Sequence, residues 1–195
     1  MIWADAHLTE KGEQQAHTAN QFWEHMITTQ CIPLPEKYYV SPLERCLSTA
    51  KLTFSNLPLP ANQPFLPEVR ELLRETNRVH TCDRRSSKSY IEAHFSNYII
   101  EPGFSEDDEL WSPDERESDE AQDVRLKLLL DDIFNHDEST YISLTSHSGA
   151  ISALLRVIGH REFRPRTGSV IPVLVKAEWS ISESTSIGNE ASRTG

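Results

Sequence analysis

The chain has 195 residues, 37% of them hydrophobic and 25% charged, a size that suits one domain with a substantial core and a composition unlike that of disordered chains. No apolar run approaches the ~20 residues needed to cross a bilayer, so no membrane partner is expected. The formal charge of −11, without a Lys/Arg stripe to release counterions, argues against binding a nucleic-acid backbone and leaves room for a small anion held locally.

The first residues, MIWADAHLTEKG, have neither the basic nor the apolar region of a signal peptide, and cytoplasm is the default expectation. Cys31, Cys46 and Cys82 are odd in number and lack metal-ligand spacing, which fits reduced, packed or incidental thiols.

In chain order, Thr9 can cap a helix to about Thr28 with Ala16, Ala19, Trp23, Met26 and Ile27 on one face. Pro33 and Pro35 end it, and KYYV reads as a short buried strand. Ser41, Pro42 and Glu44 then form a Ser-x-x-Glu capping box, which predicts a helix from Pro42 to about Phe54. A proline-rich loop follows, then a segment that begins strand-like and ends basic. Ser89 to Ile100 suits a helix, and the acidic run from Glu101 to Glu120 a solvated loop. Asp119 with Gln122 can open a helix whose Leu126, Leu129, Leu130, Ile133 and Phe134 share a face. STYISLTS is a buried strand, HSG a turn, and Ala150 to Ile158 a helix. SVIPVLVKAE reads as a last strand, at an edge because of Pro172. The domain is expected to span residues 1–179, and residues 180–195 to be a frayed tail.

Helices alternating with apolar strands predict a three-layer α/β/α domain with a mainly parallel sheet, whose ligands gather where strands hand over to helices. At the first such junction Arg45 sits in the opening turn of its helix. A guanidinium there offers a planar fork to two phosphate oxygens, or else pairs with Glu44 on the surface. At the second, His147 can donate to a phosphoryl oxygen, shuttle a proton, or only close the turn. Ser148 lacks the flanking glycines of a hydrolase elbow, since Ser146 and Ala150 occupy those positions. Between the junctions, Glu71 and Glu75 lie among Arg70, Arg74, Arg78, Arg84 and Arg85. That cluster suits an anionic substrate met by a carboxylic acid, or simple salt bridging. His80 with Cys82 is not a metal site, phosphate-binding and dinucleotide glycine patterns are absent, and no metal or organic cofactor is implied.

LTEKGEQQA, SPLERCLSTA, ELLRE with HTCDRRS, and TSHSGAI, in that order, resemble the histidine phosphatase superfamily and, more narrowly, its fungal phosphoglycerate mutase-like branch. The likeness runs from about Asp5 to Glu178, and TGSVIPVLVK is similar to that branch's closing strand. It implies phosphoryl transfer through a phosphohistidine in a three-layer sandwich. Carried over by motif, Arg45 and His147 would bind phosphate, and Glu75 would protonate the leaving group, with Glu71 as the fallback acid. Arg74, Arg84 and Arg85 would meet the substrate, a small phosphomonoester or other anion. The family's nucleophile lies in an Arg-His-Gly triplet on a first, central strand, and that triplet is absent from these residues; His7 lacks its context. The expected forms are therefore a phosphatase truncated at its N-terminus, a phosphate-binding relative without turnover, or a repurposed acid–base enzyme. Neither substrate identity nor oligomeric state follows from the sequence.

Overall fold

The structure is a computed structural model that describes residues 4–77, 80–161 and 163–178. Its sheet has four strands, β1 (Lys37–Val40), β2 (Glu68–Val69), β3 (Ile99–Ile100) and β4 (Ile142–Thr145), in the order β3-β2-β1-β4. Every pairing is parallel. The helices are α1 (Glu10–Gln30), α2 (Glu44–Phe54), α3 (Lys88–His94), α4 (Asp119–His136) and α5 (Ser148–Val157).

The layering follows from the two-residue period of β1. Tyr38 and Val40 point into one core with Leu47, Ala50 and Phe54 of α2, and Trp23 and Ile27 of α1 pack against it. Tyr39 points the other way, among Leu126, Leu129 and Ile133 of α4 and Ala150, Ala153 and Leu154 of α5. Each face of the sheet is thus covered by a pair of helices, giving the expected three layers. In the first core the Tyr38 ring meets Phe54 and Phe65 edge-on, both at 5.0 Å between centroids, the arrangement aromatic quadrupoles favour.

Thr9 caps α1 as expected, its hydroxyl accepting from the Gly12 N–H at 3.2 Å. Other local expectations are corrected. α2 starts at Glu44 with Leu43 at its N-cap, and no capping box forms, because the Ser41 hydroxyl turns to His147 and the Glu44 carboxylate to His7 and Tyr90. α3 ends at His94, and Ile99–Ile100 becomes β3 by pairing with Glu68 and Val69. Ser118, rather than Asp119, caps α4. On α4, Phe134 is exposed where its spacing predicted burial. β4 is only half-buried, since it lies at the sheet's edge with no strand on its outer side among the described residues. Residues 169–178 form no strand, and the Leu174 side chain stands clear of the domain. The expected tail, 180–195, lies outside the described residues. Among the described residues no helix is long and apolar enough to cross a membrane.

Candidate active site

Adjacency of β1 and β4 builds the site. Val40 lies in register with Thr145, and the Ser41 N–H donates to the Thr145 carbonyl at 3.0 Å, so the two strands end side by side. The chain leaving β1 enters α2 and brings Arg45. The chain leaving β4 enters α5 and brings His147.

Arg45 Nε donates to His147 Nδ1 at 3.2 Å. A guanidinium can only donate, so Nδ1 must be the unprotonated nitrogen. The neutral ring therefore carries its proton on Nε2, which lies 2.8 Å from Ser41 Oγ and 3.3 Å from Cys46 Sγ. Burial, reinforced by the charges of Arg45, Arg74 and Arg125, holds the His147 pKa well below the ordinary histidine value. Burial also pushes the Cys46 thiol up to about 12, so Cys46 packs as a neutral group. The rest of the Arg45 fork donates to the Cys82 carbonyl at 2.7 Å and to Asp83 Oδ1 at 3.0 Å. It does not pair with Glu44, and it carries more N–H groups than these contacts use.

Glu75 sits at the start of α5. Its Oε2 accepts from the Gly149 N–H at 3.3 Å, and its Oε1 from Ala150 at 3.2 Å and Thr76 at 2.9 Å. These helix amides have no intrahelical acceptor, and the helix dipole favours an anion beside them. Ser146 Oγ donates to the Leu73 carbonyl at 2.7 Å, which ties the end of β4 to the segment carrying Glu75. Arg125 of α4 braces the same segment through the carbonyls of Leu72, Arg74 and Glu75.

The arginines expected to meet the substrate have different surroundings. Arg74 is 0% exposed, its fork on both oxygens of Asp108 at 2.7 Å and on Glu71 at 3.0 Å. Arg85, also buried, donates to Glu71 Oε2 at 2.7 Å and to the carbonyls of Ser86, Ser105, Glu106 and Asp107. Both guanidiniums are thus committed to internal partners. Arg84 packs over the Trp111 ring at 5.6 Å and is partly exposed. Glu71 lies between Arg74 and Arg85, away from the α5 amides that hold Glu75; burial, resisted by Arg85 and Arg74, leaves its carboxyl above the usual range. Arg78 lies outside the described residues.

Several supporting residues escaped sequence reasoning. Asp108 belongs to the acidic run expected to be solvated, yet it is the buried counter-ion of Arg74. Burial alone would raise its carboxyl, but the Arg74 fork outweighs that and holds it below the ordinary range. Asp5 spans two segments, Oδ1 accepting from the Glu44 N–H and Oδ2 from the Ser86 N–H, each at 2.8 Å. Gln122, 2% exposed, donates to Thr76 Oγ1 at 3.0 Å. Only the position of Gln122 in the first turn of α4 signalled anything, and it suggested capping.

Among the described residues no group of three or more His, Cys, Asp or Glu could hold a metal ion. The family model described as "Histidine phosphatase superfamily (branch 1)" matches residues 1–166. A "Probable phosphoglycerate mutase" of Arthroderma benhamiae is 61% identical over 180 residues, 92% of this chain and 53% of that protein. The "Phosphomutase-like protein 3" of Candida albicans is 40% identical over 179 residues, 91% and 54% of the two chains. The chain thus spans about half the length of these curated relatives. Among solved structures, the alpha-ribazole phosphatase from Shigella flexneri superposes with a TM-score of 0.52 at 20% identity, covering 85% of this chain and 78% of its own, which shows a common fold.

Proposed function

We propose, for a chain that belongs to the histidine phosphatase superfamily and is phosphoglycerate mutase-like, that the junction of β1 and β4 handles a small phosphomonoester as part of a phosphatase. The observation that carries this reading is the contact of Arg45 with His147 at the carboxyl ends of two adjacent parallel strands, where sheets of this kind present their ligands. Arg45 supplies charged N–H donors to the phosphoryl oxygens, and neutral His147 an Nε2–H that exchanges its Ser41 Oγ acceptor for one of them. As the ester P–O bond breaks and the phosphoryl group passes in the end to water, giving inorganic phosphate, Glu75 in its protonated form gives its proton to the leaving oxygen. The Arg-His-Gly triplet is absent from these 195 residues, so no residue of this chain is assigned as acceptor of the phosphoryl group.

A second reading, a phosphate-binding relative without turnover, is favoured by the internal hydrogen bonds that already occupy Arg45 and Glu75. One set of measurements separates the two. The chain and its Arg45→Ala and His147→Ala variants are assayed with p-nitrophenyl phosphate, and their melting is followed with and without inorganic phosphate. Turnover that falls on the order of 10²-fold in either variant supports the phosphatase. Stabilisation by phosphate that vanishes in Arg45→Ala, without turnover in any protein, supports the binding module. If phosphate is neither turned over nor bound, both readings fail.

A further inference from the structure

Gly149 is the second residue of α5, a place where alanine has the better helix propensity. A Cβ at this position would fall well inside van der Waals contact with Glu75 Oε1, 2.7 Å from Thr76 Oγ1 and 3.1 Å from Glu75 Cδ. Glycine here does not serve backbone freedom, since Gly149 does not have positive φ. It leaves a notch, and the Glu75 carboxylate fills it.

A second contact reaches the same carboxylate from α4. Thr76 presents its N–H to Glu75 Oε1 at 2.9 Å and its hydroxyl to the same oxygen at 3.3 Å. The Gln122 amide nitrogen donates to that hydroxyl at 3.0 Å. With the Gln122 donor taken up by Thr76 Oγ1, the hydroxyl hydrogen is directed to Glu75. Both Thr76 and Gln122 are buried, where a side-chain amide is kept only with its hydrogen bonds made.

We propose that Gly149 and Gln122 are positioning residues for Glu75: Gly149 opens the notch that admits the carboxylate to the α5 amides, and Gln122, through Thr76, fixes its orientation. The proposal deepens the phosphatase reading and rests on it for the use of Glu75 as the acid; the seat itself is measured separately.

Hydrogen exchange reads the seat. The Gly149 and Ala150 amides have no acceptor within α5, so their protection reports Glu75, whereas Leu154 and Leu155 report the helix as a whole. Glu75→Ala and Gly149→Ala should each speed exchange at the amides of residues 149 and 150 on the order of five- to tenfold, with Leu154 and Leu155 unchanged. Gln122→Leu and Thr76→Val should do so to a smaller extent, and Thr76→Ser, which keeps the hydroxyl, should restore protection. Should Gly149→Ala disturb the whole domain, Gly149→Ala/Glu75→Ala decides: removing the carboxylate should recover part of the lost melting temperature, the remainder being the Thr76 clash. Additive effects of the two substitutions, or unaltered exchange at Ala150 in Glu75→Ala, overturn the proposal.

Turnover tests the link to chemistry. A misplacement of about 1 Å should lower kcat on p-nitrophenyl phosphate up to 10²-fold in Gly149→Ala and less in Gln122→Leu, with KM little changed. Released amides with undiminished kcat would overturn the positioning role. Absence of turnover in the unaltered chain overturns the phosphatase reading, and exchange then decides the seat alone.

Discussion

The Nε of Arg45 donates to Nδ1 of His147 at 3.2 Å, and this one bond constrains the charge of the pocket. Protonated His147 would set a second N–H against the guanidinium, so the contact requires a neutral ring. Burial already depresses the His147 pKa, which means that the unfolded chain binds this proton while the folded one does not.

Stability should therefore fall with acidification through His147. Its stabilising influence is complete above the unfolded value near 6.5 and is lost progressively from there down through the depressed folded pKa, with a slope of up to about 1.4 kcal/mol per pH unit. Asp5, Glu71 and Glu101, whose pKa values are raised chiefly by burial, contribute with the opposite sign at lower pH. The difference between unaltered protein and His147→Gln isolates the histidine. Urea midpoints measured from pH 7.5 to 5 should converge for the two proteins, and parallel curves would refute the linkage.

The Arg74–Asp108 pair makes a sharper energetic claim. Asp108→Asn leaves the buried Arg74 guanidinium only the Glu71 carboxylate, which it shares with Arg85, at a cost of up to about 3 kcal/mol. Adding Arg74→Met to Asp108→Asn removes the under-compensated charge while an amide oxygen still serves the Leu110 and Trp111 N–H groups that Asp108 Oδ1 accepts, so the double variant should cost less than Asp108→Asn alone. Equilibrium denaturation of the three proteins checks this. Equal losses in the single and double variants would mean that the pair does not act as a unit.

Ser41, Asp5 and Arg74 mark where the sequence was legible. Strand and helix placement at both junctions could be read because apolar periodicity and turn chemistry are local, whereas the adjacency of β1 and β4 is a matter of strand order that no local signal carries. Partner choice is not local. Ser41 had the right spacing for a cap, but His147, 106 residues away, is a buried group that competes for its hydroxyl. Arg74 sat in a basic cluster suited to an anion, and its anion turned out to be Asp108, hidden in a run whose charge density suggested solvent. The SVIPVLVKAE segment has strand composition, yet a strand needs a neighbour, and none lies beside residues 169–178 among the described residues.

Tyr38 supplies a test of the first core. Its hydroxyl is buried without a hydrogen-bond partner among the described residues, and burial raises its pKa to about 12, so the group stays neutral. Tyr38→Phe keeps the ring against Phe54 and Phe65 and removes the orphaned oxygen. It should leave stability unchanged or raise it by about 1 kcal/mol. A loss greater than this, read by thermal melting, would mean that the hydroxyl has a partner.

Asp5 ties two separate segments of the domain together. Its carboxylate joins the start of α2 at Glu44 to the loop before α3 at Ser86, and it is buried with φ at +46°, in the left-handed region that Asp tolerates better than most residues. It thereby replaces the capping box that Ser41 and Glu44 do not form. Asp5→Ala should cost about 1–2 kcal/mol, the upper end of the range for loss of a cap because two amides are orphaned together. Asp5→Asn keeps one oxygen for Glu44 but turns an N–H toward that of Ser86, so it should recover only part of the loss. Exchange at the Glu44 and Ser86 amides distinguishes the two variants: both open in Asp5→Ala, Ser86 alone in Asp5→Asn. If Glu44 stays protected in Asp5→Ala, α2 is capped by another group and Asp5 is not its anchor.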